Sequence, residues 1–195
     1  MKKVQRSIDS DRRIKKTKRV ITHALANLLI EKELSDITVT ELCLAADINR
    51  KTFYMHFSSL EETLQYIIDR ISHGFADILQ EHTSASGYQL HSSILSQLKA
   101  LNDDFPYYQA LANGSAYEKL YMEILQNMEE TRLKYTHSSD ATVRTVLRFL
   151  HGAYLATLTD WLREPAGRTF EDVSDFYIKC ALQIRKAYRI DDVVL

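Results

Sequence analysis

Apolar residues recur at spacings of three and four along almost the whole chain, which is the period of an amphipathic helix. Between Asp11 and Glu33 they place Ile21, Leu25 and Leu29 on one face. Only five Gly and two Pro interrupt the pattern, far fewer than the turns of a β protein of this length would need. The chain is therefore predicted to be all-α, with about nine helices, at 11–33, 38–46, 49–56, 60–82, 88–103, 106–112, 115–135, 140–163 and 170–188.

The segment 38–57 contains the parts of a helix-turn-helix: two short helices, a tight turn, and a second helix with a polar outer face. Thr38 and Glu41 have the Ser/Thr-x-x-Glu spacing of a capping box, which starts the first helix. Asp47 stands in the turn, where the backbone needs a residue that tolerates a positive φ. Asn49 follows and is placed to cap the second helix.

The second of these helices separates its apolar and polar residues cleanly. Phe53 and Phe57 point inward, whereas Arg50, Lys51 and Tyr54 project outward. Arg50 and Lys51 could donate hydrogen bonds to guanine edges or to phosphates. The same pattern fits a generic helical hairpin whose basic residues are simply solvated, and periodicity alone does not separate the two interpretations.

The formal net charge of −1 hides an asymmetry between the two ends of the chain. Residues 1–57 carry 12 Lys and Arg against 7 Asp and Glu, a net charge of +5, and residues 58–195 carry 13 against 19, a net charge of −6. A basic end on an acidic remainder fits a protein of which one end meets a polyanion. It fits equally well a solvated basic helix face.

Cysteine use and hydropathy indicate the compartment. Cys43 and Cys180 are the only cysteines, and each lies in an apolar periodic segment, so we expect buried thiols in a reducing environment. The sequence has no run of 18 apolar residues that would span a membrane. The charged N-terminus lacks the apolar core of a signal peptide. The expected location is the cytoplasm, without membrane contact.

Catalytic and metal-binding motifs are missing from the sequence. The seven His do not have the spacing of a metal site, and the two Cys do not form a C-x-x-C pair. There is no nucleophile elbow, phosphate-cradling loop or nucleotide fingerprint. We therefore predict no metal, no cofactor and no enzymatic activity.

The residues from Thr38 to Phe57 closely resemble the DNA-binding domain of TetR/AcrR-type transcriptional regulators. The most specific part is Thr52-Phe53-Tyr54-x-His56-Phe57, followed by Ser59 and Glu61-Glu62, and the resemblance covers residues 11–70. Together with the polar composition of the first ten residues, it divides the chain into three parts. These are a flexible basic arm at 1–10, a helix-turn-helix DNA-binding domain at 11–58, and a helical regulatory and dimerisation domain at 59–195.

The resemblance implies contacts with double-stranded operator DNA. The residues expected to contact DNA are Thr38, Thr40, Asn49, Arg50, Lys51, Thr52, Tyr54 and His56. Of these, the Thr hydroxyls, Tyr54 and His56 suit phosphates, whose contacts fix the docking without reading sequence. Two positions depart from the family pattern and leave open whether docking is weakened: Asp47 replaces the usual Gly, and Leu60 stands where the family often has a phosphate-binding Lys.

The predicted helix at 140–163 is apolar on two faces. One stripe runs from Val143 to Trp161, and the other contains Val146, Phe149 and Ala153. A helix that is apolar on two faces needs two partners. The resembled family dimerises through its last two long helices, so we expect a homodimer through 140–163 and 170–188 on a palindromic operator.

Aromatic residues with hydroxyl groups suit the wall of a small-molecule pocket. The candidate ligand-binding residues are Phe75, Tyr107, Tyr108, Tyr121, Tyr154 and Trp161, although each also fits an ordinary core. The chain is predicted to be a ligand-responsive repressor. The alternative is a DNA-binding regulator controlled by a protein partner of the co-activator type. An enclosed aromatic cavity would favour the first, and a filled core with an exposed apolar patch near 105–125 would favour the second.

Overall fold

The computed structural model describes residues 2–81, 103–135 and 140–188, without the side chains of 2–10, 75–81, 131–135, Leu147 and Arg185. These residues form eight α-helices, a short 3-10 helix at Leu34–Asp36 and no strand, which confirms the all-α prediction. The helices are α1 (Lys2–Leu28), α2 (Val39–Ala45), α3 (Arg50–Tyr54), α4 (Leu60–Glu81), α5 (Phe105–Asn113), α6 (Tyr117–Tyr135), α7 (Ala141–Arg163) and α8 (Phe170–Tyr188). The ninth helix, predicted at 88–103, lies outside the described residues except for Asp103.

Helix α1 is longer at its start and shorter at its end than predicted. It begins at Lys2 rather than at Asp11, so the backbone of the segment predicted as an arm at 1–10 is helical from Lys2 onwards. The segment contains no Gly or Pro, the residues that most strongly interrupt a helix. At the other end the helix stops at Leu28 rather than near Glu33, and a turn leads into the 3-10 helix.

The head of the molecule consists of α1, α2, α3 and the first half of α4. Its side chains Ile21, Leu25, Leu42, Phe53 and Leu64 are almost completely inaccessible to solvent. Burial of an aliphatic or aromatic side chain of this size stabilises the folded state by about 1.5–3 kcal/mol. These buried side chains therefore fix the two short helices against α1 and α4.

The turn between α2 and α3 is a Schellman motif. The N–H of Asp47 donates to the carbonyl of Leu44 at 3.2 Å, and the N–H of Ile48 donates to the carbonyl of Cys43 at 3.0 Å. Asp47 occupies the left-handed position of this motif, with φ 51°, as the sequence predicted. This position favours glycine because a Cβ atom crowds the neighbouring carbonyl there.

Side chains predicted to cap helices do so. Thr38 accepts a hydrogen bond from the N–H of Glu41 at the start of α2, and Asp140 accepts one from Thr142 at the start of α7. Thr169 and Asp172 form a complete capping box at α8, in which each side chain accepts from the backbone N–H of the other. These hydrogen bonds pull the pKa of Asp172 below its usual value, the backbone N–H of Thr169 having the largest effect.

The C-terminal helices pack around aromatic side chains. Trp161 lies between Phe105 and Phe170, with ring centroids 5.1 and 5.3 Å away, and its indole N–H donates to the carbonyl of Arg168. Tyr154 packs on Tyr177 with ring centroids 5.0 Å apart. Both contacts join α7 to its neighbours, so the first apolar stripe of this helix faces the core.

The two cysteines differ in burial. Cys43 is buried, as predicted, and burial raises the pKa of its thiol. The prediction that Cys180 is buried is wrong for the single chain, because it lies on the outward face of α8 while Tyr177 and Ala181 face the core. In the described part of the chain, no helix combines the length and apolar character that a membrane span would need.

Replacing Asp47 with Gly should stabilise the protein because it relieves the crowding at a positive φ. We expect Asp47→Gly to raise the free energy of unfolding by up to about 1 kcal/mol, and Asp47→Val to lower it by about 1–3 kcal/mol. Urea denaturation followed by circular dichroism measures both. The matched control is Asp36→Gly, an exposed Asp whose φ is not positive, where the added backbone freedom should only destabilise. If Asp36→Gly and Asp47→Gly lower the free energy of unfolding equally, this account of the turn is contradicted.

Candidate nucleic-acid interface and ligand cavity

Helix α3 presents one face to the head and the other to solvent. Phe53 is completely buried and Phe57 nearly so, whereas Arg50 and Lys51 are exposed and Tyr54 is half exposed. The ring of Phe53 contacts those of both Tyr54 and Phe57. The buried aromatic side chains therefore anchor the helix, while its basic residues remain exposed on the opposite face.

Arg50 and Tyr54 lie one helical turn apart and interact. The guanidinium carbon is 5.9 Å from the ring centroid, and Nη2 is 3.5 Å from the hydroxyl oxygen. An arginine held against an aromatic ring loses less side-chain entropy when it binds a base edge or a phosphate. This geometry suits a residue that reads DNA.

Asn49 and Thr52 are occupied with each other. Asn49 Oδ1 accepts from the backbone N–H of Thr52 at 2.8 Å and from its hydroxyl at 3.0 Å, which caps α3. Two of the predicted DNA-contacting residues therefore stabilise the short helix. The NH2 group of Asn49 and both lone pairs of the Thr52 hydroxyl oxygen remain able to interact with a ligand.

The remaining predicted DNA-contacting residues lie at the edges of the helix-turn-helix. Thr40 is exposed in the first turn of α2, and Thr38 is exposed just before it, where its hydroxyl caps the helix. His56 follows α3 and is half-buried. These hydroxyl and imidazole groups therefore lie in the segments before and after the exposed Arg50, and groups of this kind can donate to phosphate oxygens.

An ion pair supports α2 from outside. Lys32 Nζ lies 2.6 Å from Glu41 Oε1. The hydrogen bond from Lys32 has the largest effect in holding the pKa of Glu41 below its usual value. A hydrogen bond from the backbone N–H of Thr38 adds a smaller effect in the same direction. Glu41 therefore remains charged near the start of α2, where it complements the helix dipole.

Lys18 is a structural residue that the sequence analysis missed. Its ammonium lies 4.2 Å from the ring centroid of Tyr66 and 5.0 Å from that of Phe57. It therefore ties α1 to α4 through cation–π contacts. The local pattern could not reveal this role, because the partner rings follow about forty or more residues later in the chain.

Leu60 belongs to the core. Its side chain is only 7% exposed at the first position of α4. It therefore offers no phosphate contact at the position where the resembled family often has Lys. The buried Leu60 side chain instead anchors the start of α4 in the hydrophobic core.

A partly open cavity of about 70 Å³ lies among the C-terminal helices. A single water molecule needs only about 10–15 Å³ of such space, so the cavity has room for a molecule of several non-hydrogen atoms. Its wall is formed by one α4 residue and by residues of α5, α6 and α7: Ile71, Tyr108, Leu111, Ala112, Tyr117, Leu120, Tyr121, Ile124, Leu155, Leu158, Thr159 and Leu162. Among the described residues of this wall, none carries a formal charge at neutral pH.

Hydroxyl groups are the polar part of the cavity wall. Tyr117 donates to Thr159 Oγ1 at 3.1 Å, and Tyr121 donates to the carbonyl of Gly152 at 3.3 Å. Burial raises the pKa of Tyr108 and of Tyr121, so both hydroxyls stay protonated near neutral pH. Tyr117 and Thr159 were not among the predicted ligand-binding residues, and only the fold shows that they face each other.

The predicted ligand-binding residues separate into two groups. Tyr108 and Tyr121 line the cavity, whereas Tyr107, Tyr154 and Trp161 do not. Tyr107 instead stacks on His23 of the head, with ring centroids 4.3 Å apart, and the other two pack in the core as described above. The side chain of Phe75 lies outside those described.

Metal-binding side chains do not cluster in the described ranges. No group of three or more His, Cys, Asp or Glu side chains within them could hold a metal ion. His82 and His91 lie outside those ranges.

Two curated proteins are similar to parts of this chain. The HTH-type dhaKLM operon transcriptional activator DhaS of Lactococcus lactis subsp. lactis (strain IL1403) is 27% identical over 95 residues, 49% of this chain and 48% of the relative. The uncharacterized HTH-type transcriptional regulator YxbF of Bacillus subtilis (strain 168) is 35% identical over 77 residues, 39% of this chain and 20% of the relative. The chain thus spans about half the length of the first relative and a fifth of the second. No protein-family profile matches the chain.

Solved structures with the same fold cover almost the whole chain. A TetR transcriptional regulator from Streptococcus agalactiae 2603V covers 90% of this chain and 98% of its own, with a TM-score of 0.55 at 24% identity. A TetR-family transcriptional regulator from Streptomyces coelicolor covers 89% and 84%, with a TM-score of 0.62 at 15% identity. The dihydroxyacetone kinase operon activator DhaS covers 87% and 97%, with a TM-score of 0.53 at 22% identity. The resemblance predicted from residues 38–57 is confirmed at the level of the fold: this chain has the all-helical fold of the TetR-family transcriptional regulators.

Proposed function

We propose that this protein is a sequence-specific DNA-binding transcriptional regulator, without enzymatic activity, that docks α3 into the major groove. The observation that carries the proposal is the outer face of α3, where exposed Arg50 and Lys51 stand beside Tyr54 while Phe53 anchors the opposite face. The two curated relatives are named as an HTH-type transcriptional activator and an HTH-type transcriptional regulator. The basic N-terminal end fits the polyanionic partner.

Each predicted contact has a role that its side chain can perform. Arg50 donates to a guanine edge, since arginine matches the two acceptors of that base, and Lys51 donates to a base edge or to phosphate. Thr38, Thr40, Tyr54 and His56 contact phosphates, and Asn49 and Thr52 add contacts with the groups that capping leaves free. Phosphate contacts fix the position of α3, so that Arg50 meets one particular base pair.

We further propose that the protein acts as a homodimer through α7 and α8. Phe149 on α7 and Phe176 on α8 are 60% and 62% exposed, which is unusual for two phenylalanines on neighbouring helices. Gly152, Ala153 and Ala156 follow Phe149 on α7, and their small side chains permit a close helix approach. A two-fold dimer places two α3 helices on half-sites about 34 Å apart, as a palindromic operator requires.

The cavity supports control by a small uncharged molecule. Its wall combines aliphatic side chains with Tyr108, Tyr117 and Tyr121, so it suits an apolar ligand with one or two hydrogen-bonding groups. Control by a protein partner would require an exposed apolar patch near 105–125. Within that range, Met122 is the single large hydrophobic residue that is strongly exposed, and one side chain does not form a patch.

The sign of regulation has two candidates. The repressor predicted from the family resemblance is one, and the name of the relative that matches about half of this chain, a transcriptional activator, favours the other. Deletion of the gene for this protein, followed by measurement of transcripts from its target promoter, separates them. Transcript levels rise if the protein represses the promoter and fall if it activates it.

Removal of the proposed base-reading and phosphate-binding side chains should weaken DNA binding. We expect Arg50→Ala to cost about 1–3 kcal/mol of binding free energy and to relax the base preference at one position. Lys51→Ala and Tyr54→Ala should weaken binding more uniformly, and Lys51→Ala should reduce the slope of log affinity against log salt concentration by about 1 if Lys51 contacts phosphate. Fluorescence anisotropy on a duplex obtained by in vitro selection with the full chain measures these effects.

A matched control is Lys119→Ala, which removes an exposed cation from α6 outside the head. It should leave both affinity and salt slope unchanged. If Arg50→Ala and Tyr54→Ala both bind the selected duplex as tightly as the unchanged protein, the proposed interface is wrong.

Charging the exposed face of α7 and α8 should separate the dimer. The double variant Phe149→Glu/Phe176→Glu places like charges where two copies meet, and light scattering should then give the mass of one chain, 22.6 kDa, instead of twice that mass. The control Met122→Glu adds a charge at a similarly exposed apolar residue of α6 and should remain dimeric. A monomeric unchanged protein, or a dimeric double variant, would rule out this interface.

A further inference from the structure

The positive charge of the N-terminal end lies on α1 and not on the helix-turn-helix. Residues 2–28 carry 9 Lys and Arg against 2 Asp, a net charge of +7. Residues 29–57, which contain α2 and α3, carry 3 Lys and Arg against 5 Asp and Glu, a net charge of −2. The electrostatic attraction of a protein to DNA grows with the number of phosphates that its cations neutralise. The net charge of the helix-turn-helix segment cannot supply this attraction.

The first half of α1 has no buried side chain among those that the structure describes. Every residue from 11 to 16 is exposed, whereas burial of apolar side chains begins at Ile21. Among the described side chains, no carboxylate forms an ion pair with Arg12, Arg13 or Lys16. These three cations are therefore available to a partner outside the chain.

The basic segment of residues 2–16, which we call the α1 extension, leaves the head beside the end of α3. Just after it, the ammonium of Lys18 lies 5.0 Å from the ring centroid of Phe57, whose ring packs on α3. Contacts of α1 with the C-terminal helices come later along the chain, where Arg19 Nη2 lies 3.1 Å from Asp104 Oδ2. A helix of this length extends about 22 Å. Along the axis of a DNA duplex, one strand places about six phosphates in that distance.

The charge arrangement of the α1 extension is unfavourable in the free protein. Arg12 and Lys16 stand one helical turn apart, as do Lys15 and Arg19, and like charges at that spacing destabilise a helix. The first turn contains no acidic residue, although the helix dipole favours negative charge there. The ion pair between Asp11 and Lys15 offsets only part of this repulsion. A polyanion on this surface would remove the repulsion, whereas a second copy of the same positive helix would increase it.

We propose that the α1 extension is a second DNA-binding element, which contacts phosphates beside the groove that α3 enters. This inference rests on the proposed DNA-binding function. Arginine and lysine bind phosphate oxygens without reading bases, so the α1 extension supplies affinity while α3 supplies base preference. It also brings cations to a head in which the buried Leu60 offers no phosphate contact.

Removal of the described unpaired cations tests the proposal. The triple variant Arg12→Gln/Arg13→Gln/Lys16→Gln should reduce the slope of log affinity against log salt concentration by about 2 or more. Each lost phosphate contact lowers this slope by about 0.9, and the proposed dimer carries two α1 extensions. At low salt the variant should weaken binding by about tenfold or more, equally for the selected duplex and for a duplex of shuffled sequence. Fluorescence anisotropy measures both quantities.

A matched control removes the same charge elsewhere. Lys119→Gln/Arg144→Gln/Lys186→Gln neutralises three exposed cations on α6, α7 and α8. It should leave the salt slope and both affinities unchanged. Light scattering and thermal unfolding verify that each variant has the mass of the unchanged protein and is folded. The proposal is overturned if the two triple variants change the salt slope equally.

A charge-conserving variant separates electrostatic binding from a change in the helix itself. Arg12→Lys/Arg13→Lys/Lys16→Arg keeps every charge of the α1 extension and should retain the salt slope of the unchanged protein. If this variant loses as much of the slope as the Gln variant does, the phosphate contacts are not the cause and the proposal is overturned.

The same titrations distinguish this inference from the proposed function. If the unchanged protein prefers the selected duplex and the Gln variant of the α1 extension binds it equally tightly, the inference fails and the sequence-specific function stands. If the unchanged protein binds both duplexes equally and that variant weakens both, the α1 extension binds DNA and the sequence-specific function fails. An unchanged protein that binds neither duplex overturns both.

Discussion

The packing of α1 on more than one side is the constraint on which the rest of the structure depends. Ile21, Thr22, Ala24, Leu25 and Ala26 are all buried, a nearly continuous run that a helix with a single apolar stripe would not show. The partners of α1 are α2 and α4 within the head and α5 outside it. Because α1 packs both within the head and against α5, the position of α3 cannot be set independently of the C-terminal helices. The two units therefore share one continuous hydrophobic core.

Features that depend on neighbouring residues could be predicted from the sequence, and features that depend on distant partners could not. The caps at Thr38 and Thr169 and the positive φ of Asp47 each follow from a few consecutive residues, because hydrogen bonds across one turn decide them. Lys18 and Asp104 carry no such local signal, since their partners are distant in the sequence. For the same reason the sequence could not separate the aromatic residues that line the cavity from those that do not. Tyr107, Tyr108 and Tyr121 look alike in the sequence, and only the fold shows that the last two line the cavity.

The chemistry of the cavity limits which ligands could occupy it. The described residues of its wall carry no formal charge at neutral pH, and the raised pKa values of Tyr108 and Tyr121 keep these hydroxyls neutral, so among these residues a charged ligand would lose its hydration without a counter-charge. A neutral molecule loses less hydration free energy when it enters the cavity, and it can still accept or donate a hydrogen bond at a hydroxyl. The small volume adds a second limit, because a ligand of few atoms brings little binding energy. Under the proposed control by such a molecule, the structural elements that it moves must therefore be balanced closely enough to respond.

Asp104 shows how such a balance is achieved. It stands at the N-cap of α5, where an Asp side chain normally accepts a backbone N–H and stabilises a helix by about 1 kcal/mol, yet here its side chain makes no capping hydrogen bond. The carboxylate is turned instead toward Arg19 and His23, in an interaction that for partly exposed groups contributes about 0–1 kcal/mol. A capping hydrogen bond and the contacts to Arg19 and His23 are thus interactions of similar general magnitude, and in this structure the carboxylate makes the second. An element with two nearly equivalent arrangements can be shifted by a weak ligand, whereas a strongly bonded one could not.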